Sequence, residues 1–361
     1  MLQNLLEPWF AWKSRLHEKH GLGLGFNASL LGQHGDGTLG DRDTAGGGIY
    51  RLQAAWNAVG RGGRSPGTLN LRFEYRSRIG PLGPSSLSGD LGIASFNSGF
   101  AYSDEFGPDL SVVNWTQLFA GKRAGFVAGR LDFAAYLDPY AYQSLAKGFL
   151  NRAFILNPST ATVGAGALGA GIKGFVSDNL WLGAMAYDAN AVSGEFDFDT
   201  FDASELFKHL EIGWTPGFDR RRTDKIQLTY WEVDERPETG KTAGSGWLLT
   251  ASSKLGERYL PFLRSGSSDG GGGAIAEDTL AIGVGISFKY DELSVAAGWS
   301  RPSAETFGPG LPDEYAFELS YRLQMSPNAT LMPDVQLILD PARNPAESSV
   351  TVWSLRARWE I

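Results

Sequence analysis

Residues 266–270 read GSSDG, the spacing of a nucleophile elbow with Ser268 in the attacking position. An elbow needs a helix behind its turn, but Gly271, Gly272 and Gly273 follow, so the stretch reads as a glycine-rich loop. GAGALG at 164–169, with Asp188 at the distance of a ribose-binding acid, fits a dinucleotide fingerprint. No strand–helix–strand unit surrounds it, and a crowded strand or small-residue lining is the better reading. His17, His20, His34 and His209 show neither metalloprotease spacing nor an acid partner for a triad. The tract EFDFDTFDASE gathers Glu195, Asp197, Asp199, Asp202 and Glu205, as an acidic vestibule that discourages anions or a calcium loop would. It lacks EF-hand spacing, so a solvated loop is the default. Sequons at Asn27, Asn114 and Asn328 are too short to carry weight. No catalytic residue, cofactor site or resident metal site is assigned.

A different chemistry is offered by NLRFEYRSR at 70–78. Leu71, Phe73 and Tyr75 share one parity, and Arg72, Glu74 and Arg76 share the other. In a strand these rows point to opposite faces. Guanidinium donors beside carboxylate acceptors can exchange hydrogen bonds with hydroxyl groups. A soluble sheet with charges in water and a greasy core is the competing reading of these nine residues.

The elements that must carry such rows repeat along the chain. Leu2, Leu5, Leu6, Trp9, Trp12 and Leu16 have helical spacing, which predicts a short amphipathic helix over 1–20, with Pro8 marking a break or a late start. From residue 21 the period becomes two. Leu22, Leu24, Phe26, Ala28 and Leu30 alternate with small or polar residues. Tyr50, Leu52, Ala54 and Trp56 do the same, as do Leu280 to Phe288 and Tyr315 to Leu323. TVWSLRARWEI at 351–361 puts Trp353, Leu355, Trp359 and Ile361 on one face and Arg356 and Arg358 on the other. GRGGRSPG, GPLGPSS and SDGGGG punctuate the pattern as turns. Alternation weakens over 79–109 and 132–148, which predicts long loops or short helices folded toward a pore.

The 361 residues include 47 Gly and 44 aromatics (11 Trp, 12 Tyr, 21 Phe), a composition suited to strands and tight connections. A formal charge of −8 without a basic tract argues against nucleic-acid binding, and the absence of Cys excludes a disulfide framework. The apolar runs are too short for a transmembrane helix, but strands cross in about 9–11 residues. The first twenty residues lack a signal-peptide pattern, as expected of a mature outer-membrane chain and equally of a cytoplasmic one. The expected fold is all-β: one antiparallel transmembrane β-barrel over 21–361, of about sixteen strands with about eighteen as the alternative.

Several stretches resemble the carbohydrate-selective porin family, the OprB family. They are GGGIYRLQAAWNAVGRG, LNLRFEYRSR, GWTPGFDRRRTDKIQLTYWEVDER, RYLPFLRSG and MPDVQLILDPARNPAESSVTVWSLRARWEI, in that order. The resemblance implies a bacterial outer-membrane barrel, monomeric with an oligomer left open, that admits mono- and small oligosaccharides by passive diffusion. Its partners would be small carbohydrates and outer-membrane lipid. Ile361 departs from the Phe that commonly ends such barrels. On the inward parity, Arg51, Arg72, Glu74, Arg76, Arg130 and Asp132 form the expected constriction, with cross-strand pairing that stiffens the wall as the simpler role. Trp231 shares the parity of Gln227 and Thr229 and is placed to offer its ring to a sugar; the opposite register would put it in the lipid-facing girdle. A general or anion-selective porin, a soluble carbohydrate-binding module and a rim-active hydrolase are the competing functions.

Overall fold

A strand with one apolar and one polar row can sit in a membrane only if its backbone is fully paired, which requires closure. The computed structural model describes residues 2–361 apart from 104–106, 145–147 and 197–198, and the side chains of residues 2–5 are not among those described. Asp197 of the acidic tract, and the Leu2 and Leu5 side chains of the helix face, therefore lie outside the described residues. A helix, α1 (Leu2–His20), precedes sixteen strands. These are β1 (Leu22–Gly35), β2 (Thr44–Val59), β3 (Gly67–Arg78), β4 (Asp109–Phe119), β5 (Ala124–Leu131), β6 (Ala167–Phe175), β7 (Leu180–Asp188) and β8 (Leu206–Trp214). The second half comprises β9 (Lys225–Val233), β10 (Gly244–Ser252), β11 (Tyr259–Ser268), β12 (Ala276–Ser287), β13 (Glu292–Pro302), β14 (Glu314–Ser326), β15 (Ala329–Leu339) and β16 (Ser349–Glu360). Each strand pairs antiparallel with its sequence neighbours, and β1 closes on β16 with Asn27 opposite Glu360 and Gly35 opposite Val352. Of the two strand numbers expected, sixteen is the one observed.

The alternation resolves as two faces. Phe73, Leu228, Ile282, Phe317 and Leu355 project outward and are exposed, as apolar residues facing lipid are. Trp353 and Trp359 are also outward, on opposite halves of β16. Pro8 is accommodated inside α1 without ending it. The helix stops where Gly21, at φ 71°, donates its amide to the His17 carbonyl, and Arg61 caps it by donating to the Lys19 carbonyl at 2.9 Å.

The lumen is partly filled. Two long connections, 79–108 and 132–166, fold inside the wall, the second extending well beyond the 132–148 expected. The first carries α2 (Pro84–Asp90). Leu87, Leu91 and Phe96 of the first loop and Tyr140, Tyr142, Phe149 and Phe154 of the second pack on inward residues of the wall, including Phe262, Ala296, Ile338 and Val350. A second apolar cluster joins Phe133, Leu137 and Leu156 to Tyr187, Phe207, Trp231 and Leu248. The small inward rows make room for this packing. A Cβ at Gly298 would come 3.0 Å from Phe96 and 3.2 Å from Phe154. On β13 and its neighbours the small parity is therefore a seat for the loops rather than a water-facing lining.

Candidate functional site

The inward row of β3 builds a compact charged cluster with its neighbours. Glu74 is fully buried at its centre. Its Oε2 accepts from Arg51 Nε at 2.6 Å and lies 3.3 Å from Arg72 Nε, while Oε1 accepts from Arg76 Nε at 2.6 Å. Arg72 also donates Nη2 to Asp132 Oδ2 at 2.8 Å and Nε to Ser111 Oγ at 2.9 Å. The cross-strand register makes this possible: Arg51 stands directly opposite Glu74. Asp132 comes from the first residue of the second long loop, so the cluster ties that loop to the wall. Three guanidinium groups thus surround two carboxylates, and the side chains of Arg51, Arg72, Arg76 and Asp132 keep 11, 14, 11 and 13% exposure. A buried acid holding partly exposed arginines fixes their direction without removing them from water.

Arg130 is placed differently. It lies on the parity of the outward Phe126, beyond Gly129 at φ 129°. Its side chain is buried, with Nη2 3.0 Å from Asp109 Oδ2, a donated bond to the Glu195 carbonyl, and the Phe196 ring 4.9 Å from its guanidinium carbon. Trp231 is inward but wholly covered. It donates Nε1 to the Ser159 carbonyl at 3.1 Å and stacks on Phe207 at 5.8 Å, 12° from parallel. The structure therefore brings together Arg51, Arg72, Glu74, Arg76 and Asp132, and sets Arg130 and Trp231 apart as loop supports.

Other polar groups position the loops and carry no motif. Asp138, at φ 45°, is a buried hub that accepts from Arg264 Nη2 at 2.7 Å, Thr250 Oγ1 at 2.7 Å and Gln227 Nε2 at 3.2 Å. Burial pushes the adjacent Tyr140 phenol well above its ordinary range, so it stays a neutral donor to the Phe154 carbonyl. Glu314 accepts backbone amides from Ala94 at 2.8 Å, Ser95 at 2.7 Å and Ala342 at 2.8 Å. Four residues along the same face, Glu318 takes those of Leu150 at 2.6 Å and Asn151 at 3.1 Å. Alternation assigns both glutamates to the inner face of β14. Nothing in their local sequence says that loop amides would meet them. In the acidic tract, Asp202 caps Ser204 and Glu205 accepts from Asn190, and no metal-binding group of three acids or histidines is found among the described residues. Ser268 Oγ donates to the Ala276 carbonyl at 2.9 Å within the sheet, without a histidine partner.

Comparison with known proteins meets this geometry at three levels. Residues 274–361, spanning β12 to β16, match the family model described as carbohydrate-selective porin, OprB family. The resemblance read from the sequence holds over those strands. Porin AaxA of Chlamydia abortus is 25% identical over 224 residues, covering 59% of this chain and 48% of that protein. Porin AaxA of Chlamydia caviae is 25% identical over 265 residues, covering 70% of this chain and 57% of that protein. The chain spans about half the length of these relatives. Among solved structures, Pseudomonas putida OprB superposes with a TM-score of 0.77 at 13% identity, over 98% of this chain and 97% of that one. A mutant of the Rh. blastica porin superposes with a TM-score of 0.59 at 12% identity, over 94% and 100%. These likenesses establish the sixteen-stranded porin barrel as the fold.

Proposed function

We propose that this chain is a bacterial outer-membrane porin through which mono- and small oligosaccharides diffuse passively, without catalysis. The observation that carries the reading is the Arg51–Glu74–Arg76–Arg72–Asp132 cluster, held on the inner face of a closed barrel by a loop folded inside it. A sugar crosses rapidly only if it meets no deep binding minimum. Oriented N–H donors and carboxylate acceptors meet that condition, because they trade water hydrogen bonds for hydroxyl hydrogen bonds of similar strength. The match to the carbohydrate-selective family supports the choice of solute. Arg51, Arg72 and Arg76 act as the contact groups, Glu74 and Asp132 orient them, and Arg130 and Trp231 hold the loops that narrow the passage.

The test is passive efflux of glucose and of maltose from vesicles containing the purified protein, with no ATP or ion gradient. Efflux well above that of empty vesicles is expected. Rates equal to empty vesicles would overturn the assignment. A rim-active hydrolase would require ester turnover lost on Ser268→Ala, which the in-sheet hydrogen bond of Ser268 gives no reason to expect.

A further inference from the structure

The charge balance of the chain is acidic, yet one region of the lumen is strongly basic. At the end of the barrel bearing the short turns, a cavity of about 880 Å³ opens beneath residues 135–141 of the second long loop. That volume lies within the range of about 300–1,000 Å³ typical of small-molecule sites. Lys122, Arg123, Lys173, Arg221, Arg222 and Lys225 line it, against a single lining carboxylate, Glu211. Glu211 is already committed: it accepts from Lys173, from Trp181 Nε1 at 2.6 Å and from Gln227 Nε2 at 2.8 Å.

Of the remaining cations, Arg123 has an ion pair only with an exposed acid, and Arg221 and Lys225 have acids nearby without a direct ion pair among the described residues. Arg123 pairs at 3.2 Å with Asp178, an acid whose side chain is 92% exposed, and donates to the Ser177 carbonyl at 2.8 Å. Lys225 donates to the Pro139 carbonyl and to Gln227 Oε1, both neutral. Arg221 stacks at 3.8 Å over Phe218 and donates to the Phe218 carbonyl at 2.6 Å. Lys122 and Arg222 make no ion pair among the described residues. Burial first, and then the neighbouring Arg222, lower the Arg221 pKa from its ordinary value, with Asp219 opposing the shift. A second unpartnered group faces the same space. His209 lines the cavity, is 4% exposed, and its Nδ1 has no hydrogen-bond partner.

We infer that this cavity is an anion-accepting vestibule that selects acidic monosaccharides, whose charge comes from a carboxylate or a phosphate. Low-dielectric walls carrying one sign of charge focus the field and raise the local concentration of the opposite ion. A free anion satisfies the surplus cations, while hydroxyls reach Tyr136 and His209. The charged cluster on β3 screens hydroxyl-bearing solutes in general; the vestibule adds a preference by charge. The inference rests on the porin reading.

The experiment compares efflux of glucose, glucuronate and glucose 6-phosphate from vesicles holding the full chain, at low and high salt, for the native protein and for a Lys122→Gln/Arg222→Gln variant. Both substitutions lie in connections outside the strands, and glucose efflux in the same preparation reports an intact barrel. The native protein is expected to pass the anionic sugars faster than glucose at low salt, with the preference reduced roughly threefold or more in the variant and by screening at high salt. Acceleration of glucose 6-phosphate alone would narrow the class to phosphates. Glucose efflux with no anion preference, or a preference the variant retains in full, would overturn the inference and leave the porin reading standing. Absence of glucose efflux would overturn both.

Discussion

Glu74 is where a single atom change has the widest reach, because three arginines are aimed by one fully buried carboxylate. Glu74→Gln removes the carboxylate charge that Arg51, Arg72 and Arg76 share, and breaking a buried pair from one side costs about 3–5 kcal/mol. A lowered temperature for loss of the barrel's β signal in detergent is expected, together with a reversal potential shifted toward anions; an unchanged reversal potential would place the cluster away from the permeation path. Arg72→Gln removes one of the proposed contact groups and breaks the ion pair to Asp132. Its expected effect is an altered ratio of glucose to maltose efflux. The rows that supply these residues are legible in NLRFEYRSR, because alternation alone separates Arg72, Glu74 and Arg76 from Leu71, Phe73 and Tyr75. Arg130 shows the limit of that method. Its Cα shares the parity of the outward Phe126 on β5, yet Asp109 and the Glu195 carbonyl, distant in sequence, hold its side chain buried. Trp231 was legible as inward, but its cover, Ser159, belongs to a loop with no periodic signal.

Elements that lack periodicity are the ones that pack inside the wall. The loop 132–166 is pinned at three separate places: by Asp132 to Arg72, by Asp138 to Arg264, and through the Leu150 and Asn151 amides to Glu318. The Asp138–Arg264 pair has both side chains 1% exposed, so Asp138→Ala strands a buried cation and costs about 3–5 kcal/mol. Larger, noisier single-channel conductance is expected as the loop loosens, and an unchanged conductance would show that the loop does not limit the bore. Glu314→Ala removes the acceptor of three loop amides and is expected to make the 79–108 loop sensitive to added protease in folded protein. Strands such as β1, β2, β3, β12, β14 and β16 read directly out of sequence, since a period of two with turn residues between leaves little freedom. The loops do not, because their order comes from contacts such as Phe96 and Phe154 over Gly298, which join residues far apart in the chain.

At the scale of the whole molecule, closure and the outward apolar band define which surface meets lipid. Phe317 and Leu337 stand opposite one another across β14 and β15 on that surface. Phe317→Arg is expected to cost about 2–4 kcal/mol in bilayer-embedded protein. Leu39→Arg, on an exposed connection, is expected to be close to neutral in the same refolding titration. The barrel and an approximate strand number were legible because several alternating segments had membrane length; the partly filled interior was not, because a small inward residue reads alike whether it faces water or a packed loop. Sugar passage through the barrel is tested by ionic conductance through purified protein in a planar bilayer while glucose is titrated. A sugar-permeable barrel gives stable channels whose conductance falls with rising glucose, as the sugar enters the lumen beside the Arg51–Arg72–Arg76 cluster. No channels, or a conductance that follows bulk viscosity alone, would contradict it.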